Sequence, residues 1–114
     1  MPESIIQQKS FGFALHTIHL YKHLTDQREY ILSKQLLRSG TSIGANVEEA
    51  SAGISRKDFR AKMSLALKEA RETRYWLCLL QEAELVDVDV NKELELVIEL
   101  ICILSAIVKT TDEA

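Results

Sequence analysis

The chain has 114 residues, 46% of them hydrophobic and 27% charged, with one Pro, four Gly and a net charge of −3. That length fits one domain with its own core, and the ordinary charged fraction excludes a disordered or fibrous class. The small net charge excludes the uniformly basic surface of a dedicated nucleic-acid binder. It is unevenly spread, however: residues 1–74 hold 12 Lys+Arg against 8 Asp+Glu, and residues 75–114 hold 2 against 9, so the folded domain is dipolar.

The first helix is expected over residues 4–24. Ser4 can cap it, with Gln7 three residues later completing a capping box. Phe11, Ala14, Leu15, Ile18 and Tyr21 read as its core stripe, leaving Phe13, Leu20 and Leu24 off that line. No basic lead precedes an apolar run at Met1-Pro2-Glu3-Ser4, so no signal peptide is expected. His16, His19 and His23 share one face at i, i+3 and i+7. That spacing suits an imidazole metal site or simply solvent-facing or interfacial histidines. The pattern breaks at Thr25-Asp26-Gln27, where Thr25 or Asp26 can cap the next helix.

The second helix is expected over residues 28–52. Leu32, Leu36, Gly40, Ile43, Val47, Ala50 and Ile54 keep a spacing of three or four, the seam of a bundle helix. Gly40 and Gly44 each cost about 1 kcal/mol relative to Ala in a helix interior. Either a neighbouring helix approaches the backbone there, or the helix breaks at Ser39-Gly40-Thr41. Beside the seam runs a polar line of Gln35, Ser39, Ser42, Asn46 and Glu49, with Arg38 next to it.

Gly53 suits a helix stop, and Ser55 an N-cap with Asp58 three residues on. The third helix, residues 56–83, presents Phe59, Met63, Ala66, Ala70, Thr73, Leu77 and Leu80 to the core. Glu69 and Glu72 share the side that holds Trp76, where Arg38 or Lys68 can pair with them. Arg38, Ser39, Ser42, Asn46, Glu49, Glu69 and Glu72 thus form a candidate polar network. It reads either as a small-ligand site or as a structural device that fixes helix register. Lys57, Arg60, Lys68 and Arg71, flanked by Arg56 and Arg74, make a basic stripe able to contact phosphates or to serve as a solvated face.

Val86-Asp87-Val88-Asp89-Val90 alternates like a strand but has no partner strand, so it reads as a loop, with Asp89 or Asn91 capping a fourth helix over residues 92–110. Leu94, Ile98, Ile101 and Val108 form its expected core stripe, and Leu96, Leu100, Ile103 and Ile107 a second one. The run from Leu94 to Val108 is broken by Glu95, Glu99 and Ser105 and falls short of the roughly 20 residues of a membrane span. A cytoplasmic protein without membrane contact is expected. Cys78 and Cys102 lack metal-knuckle or redox spacing and read as small buried hydrophobes in a reducing compartment.

The surplus apolar residues Phe13, Leu20, Leu65, Trp76, Leu79, Leu96, Leu100, Ile103 and Ile107 are candidates for contact with further copies of the chain; a thick core is the other account. No phosphate-cradling loop, nucleophile elbow or zincin helix is present, so no catalytic residue, cofactor or metal site is assigned. The expectation is an all-α single domain over residues 1–114, an antiparallel up-down-up-down four-helix bundle acting as a homo-oligomeric scaffold. A small-ligand or metal-binding bundle is the alternative.

The run Gln35-Leu36-Leu37-Arg38-Ser39-Gly40-Thr41-Ser42-Ile43-Gly44-Ala45-Asn46-Val47-Glu48-Glu49-Ala50 resembles the signature of the 23S rRNA intervening-sequence protein family, also called four-helix-bundle proteins. Ser55 to Lys62, and Lys68-Glu69-Ala70-Arg71-Glu72-Thr73-Arg74-Tyr75-Trp76-Leu77, agree with it. The resemblance implies an up-down-up-down bundle assembled as a homopentamer, in a family whose biochemical role is largely undefined; association with RNA or a ribonucleoprotein is the expectation for a partner. A related branch, the accessory variability determinant of diversity-generating retroelements, is a basic pentamer that binds nucleic acid; the acidic final third of this chain differs from it.

Overall fold

The computed structural model describes residues 4–113; Met1–Glu3, included in the leader reading above, and Ala114 lie outside them. Four helices account for most of the chain: α1 Ile5–Asp26, α2 Leu32–Ser51, α3 Arg56–Ala83 and α4 Asn91–Glu113. Local chemistry sets their starts. Ser4 accepts from the Gln7 N–H while the Gln7 side chain accepts from the Ser4 N–H, the capping box expected. Ser55 Oγ accepts from the Asp58 N–H at 3.0 Å, and Asp89 Oδ1 accepts from the Asn91 N–H at 3.0 Å at the head of α4.

The second helix begins later than residue 28, and its cap is neither Thr25 nor Asp26. Thr25 donates back to the Lys22 carbonyl and Asp26 ends α1. Arg28 then takes a left-handed conformation, φ 64°, which turns the chain. The Glu29 carboxylate takes over the cap, accepting from the N–H groups of Ile31, Leu32 and Ser33 at 3.2, 2.9 and 2.6 Å. These are the orphan donors every helix start leaves open. Burial pushes the Glu29 carboxyl up, but the backbone bonds from Leu32, Ser33 and Ile31 and the Ser33 hydroxyl outweigh it and hold it below its ordinary value.

Cross-helix pairs give the directions. Gln7 meets Glu48, Thr17 lies beside Gly40, and Ser10 beside Gly44, so α1 and α2 run antiparallel. Arg38 with Glu72 and Glu49 with Lys62 do the same for α2 and α3. Arg60 with Asp112 and Gln81 with Asn91 do so for α3 and α4, and Lys9 with Glu99 and His16 with Glu93 close α1 against α4. The result is an up-down-up-down four-helix bundle. Its α1–α4 seam is the least extensive of the four. Among the described residues, no helix is long and apolar enough to cross a membrane.

α2 runs unbroken through Ser39-Gly40-Thr41, and close approach explains its glycines. A Cβ on Gly40 would sit 2.7 Å from Thr17 Cγ2 and Oγ1, and one on Gly44 would sit 3.3 Å from the Ser10 carbonyl oxygen. The core lines of α2 and α3 follow the expected spacing, save that Ile54 lies past the end of α2 and is 96% exposed.

Two helices correct the sequence reading. In α1 the buried line is Ile6, Ser10, Phe13, Thr17, Leu20 and Leu24, whereas Phe11, Leu15 and Ile18 face outward at 66%, 45% and 40% exposure. In α4 the buried residues are Val97, Leu100 and Leu104, and Ile98 is turned out. Phe13, Leu20 and Leu100, placed among the interface candidates, are therefore part of this chain's own core. The physical reason is fit: Ser10 and Thr17 are small enough to press α1 onto the glycines of α2, and that contact sets the rotation of the whole helix.

Candidate functional site

The α2–α3 seam gathers the main polar cluster. Arg38 projects from α2 across to α3, where its guanidinium meets Glu72 in a close ion pair and Glu69 at 3.4 Å, while Gln35 Oε1 accepts from its Nε and second amino group at 3.3 and 3.2 Å. The Trp76 indole N–H donates to Glu72 Oε2 at 3.0 Å. That bond holds the Glu72 carboxyl below its ordinary value; partial burial opposes it, and Arg38 and Lys68 reinforce it. Beneath this surface layer the fully buried hydroxyls of Ser39 and Thr73 are hydrogen-bonded at 2.8 Å.

Arg38, Ser39, Glu69 and Glu72 of the expected network are thus brought together. The other three members sit elsewhere. Ser42 donates to the Arg38 carbonyl at 2.6 Å and Asn46 to the Ser42 carbonyl at 2.9 Å, both within α2. Glu49 pairs with Lys62 at 2.8 Å on exposed surface. Two participants lie outside the expected network: Thr73, a residue of the expected core line, and Trp76, an interface candidate. An indole placed i+4 from a glutamate is the signal that could have found the second.

Chemically the seam has little to offer a reaction. Glu72 is held ionised and fully engaged, Glu69 faces the same guanidinium, and the two hydroxyls are taken up by each other and by the Glu69 and Leu36 carbonyls, without a base. The arrangement locks α2 against α3.

The outer face of α3 is different. Of the basic stripe, Arg60 is drawn to α4, its terminal nitrogen 2.8 Å from Asp112, and its Nε is buried without a hydrogen-bond partner. Lys57, Lys68 and Arg71 remain exposed, and none of them makes an ion pair among the described residues. Arg74, Tyr75 and Cys78 join Arg71 around a shallow dish of about 260 Å³. Tyr75 is 59% exposed, and its ring stands edge-on to Trp76 with centroids 5.2 Å apart.

The remaining features are modest. A groove of about 160 Å³ between α1 and α2 is lined by Phe11, Ala14, Thr41, Gly44 and Ala45, well below the roughly 300 Å³ at which small-molecule pockets begin. His16 faces Glu93 at 3.6 Å, His23 lies 3.2 Å from the Asp87 carbonyl, and His19 points to solvent. No group of three His, Cys, Asp or Glu among the described residues is placed to hold a metal. Cys78 is half-buried, and Cys102 is exposed rather than buried as expected. Of the other interface candidates, Leu65 is 43% exposed, and Trp76, Leu79, Leu96, Ile103 and Ile107 are half-buried.

Comparison with known proteins agrees with this architecture. A crystallised protein of unknown function from the S23 ribosomal protein family of Bacteroides thetaiotaomicron is 44% identical. The match covers 92% of this chain and 99% of that one, with a TM-score of 0.88. No curated protein matches. The description of the 23S rRNA-intervening sequence proteins fits residues 2–106, nearly the whole chain, and the chain belongs to that family.

Proposed function

We propose that this chain is a non-enzymatic homo-oligomeric scaffold, with five copies as the working number, that presents the basic outer face of α3 to RNA or a ribonucleoprotein in the cytoplasm. The observation that carries the reading is the outward stripe of α1: Phe11, Leu15 and Ile18 at i, i+4 and i+7, all at least 40% exposed. That stripe continues across the α1–α2 groove onto Thr41 and Ala45. A helix in a solitary bundle needs one apolar face, and α1 has two on opposite sides. Covering that stripe with a second copy is favourable at about 25 cal/mol per Å² of apolar surface removed from water.

The correction to α1 therefore moves the interface without removing its motive. Phe11, Leu15 and Ile18 take the place of Phe13, Leu20 and Leu100, while Leu65 and Leu79 on α3 and Leu96, Ile103 and Ile107 on α4 stay partly exposed. Both perturbed carboxylates, Glu29 and Glu72, are lowered, so neither is poised to exchange a proton near neutrality.

Light scattering of the purified protein tests the assembly. A mass several times 12.9 kDa is expected, and a monomer at all concentrations contradicts it. Anisotropy with a structured RNA over a salt series tests the partner. Binding is expected to fall steeply as salt rises, and no binding at low salt removes RNA from the reading.

A further inference from the structure

The cations of α3 are not equivalent. Arg60 is taken by Asp112 and Lys62 by Glu49, while the acids Glu69 and Glu72 are taken by Arg38. Arg56, Lys57, Lys68, Arg71 and Arg74 are left without an ion pair among the described residues, and of the α3 acids before Tyr75 only Asp58 is likewise left without a cation. Fixed positive charge is therefore concentrated along the outside of α3, and Tyr75 stands at its C-terminal end.

Tyr75 has an unusual setting for an exposed aromatic. Arg71 lies one turn before it, Arg74 is adjacent, and together with Cys78 they rim the dish. Trp76 meets the ring at an interplanar angle of 71° and is itself held by Glu72, which Arg38 holds in turn. The ring pose is thus supported from α2 across the polar seam, and preorganisation of this kind lowers the ordering cost of binding. A fixed aromatic face flanked by two free guanidinium groups matches a nucleobase with its neighbouring phosphates: every base offers a π-face, and phosphates take forked donors.

We propose that the Arg71–Arg74–Tyr75 dish binds one base of single-stranded nucleic acid by stacking on Tyr75. Arg71 and Arg74 contact the adjacent phosphates, and Lys68 extends the backbone track along α3. This rests on the nucleic-acid reading above and sharpens it, because a basic stripe alone takes duplex as well as single strands, whereas stacking requires an unpaired base.

The test is binding of a fluorescein-labelled 12-nucleotide adenine RNA to the full chain at about 50 mM salt, with duplex RNA of equal length and inorganic polyphosphate as competitors. Tyr75→Ala is expected to weaken binding about 5- to 150-fold, the range for losing one stacked base, while Tyr75→Phe stays close to the parent. Arg71→Gln with Arg74→Gln is expected to lower the slope of log K against log salt by about 1.4. Trp76 emission, from the single tryptophan of the chain, is expected to change when the single strand binds and not with polyphosphate. Sedimentation of each variant checks that assembly is untouched. Equal affinity of Tyr75→Ala and parent, or equal competition by duplex or polyphosphate, overturns the stacking site while leaving the basic surface in place. Absence of any nucleic-acid binding by the parent removes both.

Discussion

α1 and α3 differ most on their outer faces. Both bury large hydrophobes, Phe13, Leu20 and Leu24 in α1 and Met63, Leu77 and Leu80 in α3, but α3 charges its outer face, whereas α1 presses Ser10 and Thr17 inward and leaves Phe11, Leu15 and Ile18 in solvent. Each choice answers the neighbour. α3 sets Ala66, Ala70 and Thr73 among its larger buried side chains, and α1 lies against two glycines that admit only small side chains. The contrast teaches that burial is decided by how closely two backbones can approach as well as by side-chain hydrophobicity. A hydrophobe on the wrong side of such a contact is left for another molecule.

The sharpest way to break the contrast is to truncate the two phenylalanines of α1 in turn. Phe13→Ala is expected to destabilise the fold by about 3–5 kcal/mol, since it empties a core position. Phe11→Ala should leave the subunit's own fold in place and act only through assembly, so any loss of its unfolding free energy should vary with protein concentration. Urea unfolding of both variants at several protein concentrations measures the difference, and equal, concentration-independent losses would mean that α1 is rotated from the position described.

A second variant addresses the glycine contact. Gly40→Ala gains helix propensity but drives its methyl into Thr17, so a net loss of about 1–3 kcal/mol is expected. Thr17→Ala should recover most of it in the double variant, because the two sites touch. Additive losses in thermal melts would show that the approach of α1 to α2 is not what excludes a side chain.

Much of this was legible beforehand, and the misreadings share one cause. The seams of α2 and α3 stand out because polar residues fill the positions between. The caps at Ser4 and Ser55 were legible too, since a capping box is local chemistry. In α1 and α4, apolar residues occupy several faces, so hydrophobicity alone does not choose the phase. The regular spacing of Ile6, Ser10, Phe13, Thr17, Leu20 and Leu24 was present, but two hydroxyl residues disguised it. In the polar cluster, helical geometry offered Arg38 or Lys68 to Glu69 and Glu72, and it is Arg38 that pairs with them. Ser42 and Asn46 bond within α2 and Glu49 to Lys62, because sharing a helix face does not by itself bring side chains together across a seam.

The α2–α3 seam gives a third prediction. Thr73→Val removes the buried bond to the Ser39 hydroxyl and leaves that group only its long 3.5 Å bond to the Leu36 carbonyl, at about 1–3 kcal/mol, whereas Glu49→Gln, which breaks an exposed pair, should cost under about 1 kcal/mol. Chemical denaturation of the two variants tests whether the network's strength lies in its buried layer.

The smallest effect concerns acid. The Glu29 and Glu72 carboxyls are held below the ordinary value of 4.5, so the stability they contribute is complete above that value and is lost as pH falls through their lower folded values. Glu29→Gln should remove part of this dependence and destabilise the protein at pH 7 by about 0.5–2 kcal/mol, as for loss of a helix cap. Melting temperatures between pH 7 and 3 read it directly, and a parallel pH profile for variant and parent would contradict it.

The central claim is that the outer face of α1 is covered by another copy of the chain. Sedimentation equilibrium at micromolar concentration, on the parent and on a Phe11→Ser, Leu15→Ser double variant, tests it most directly. The account predicts a parent several times 12.9 kDa and a variant that dissociates while keeping its helical circular dichroism. A parent that stays monomeric without change on dilution, or a variant that assembles as the parent does, would contradict it.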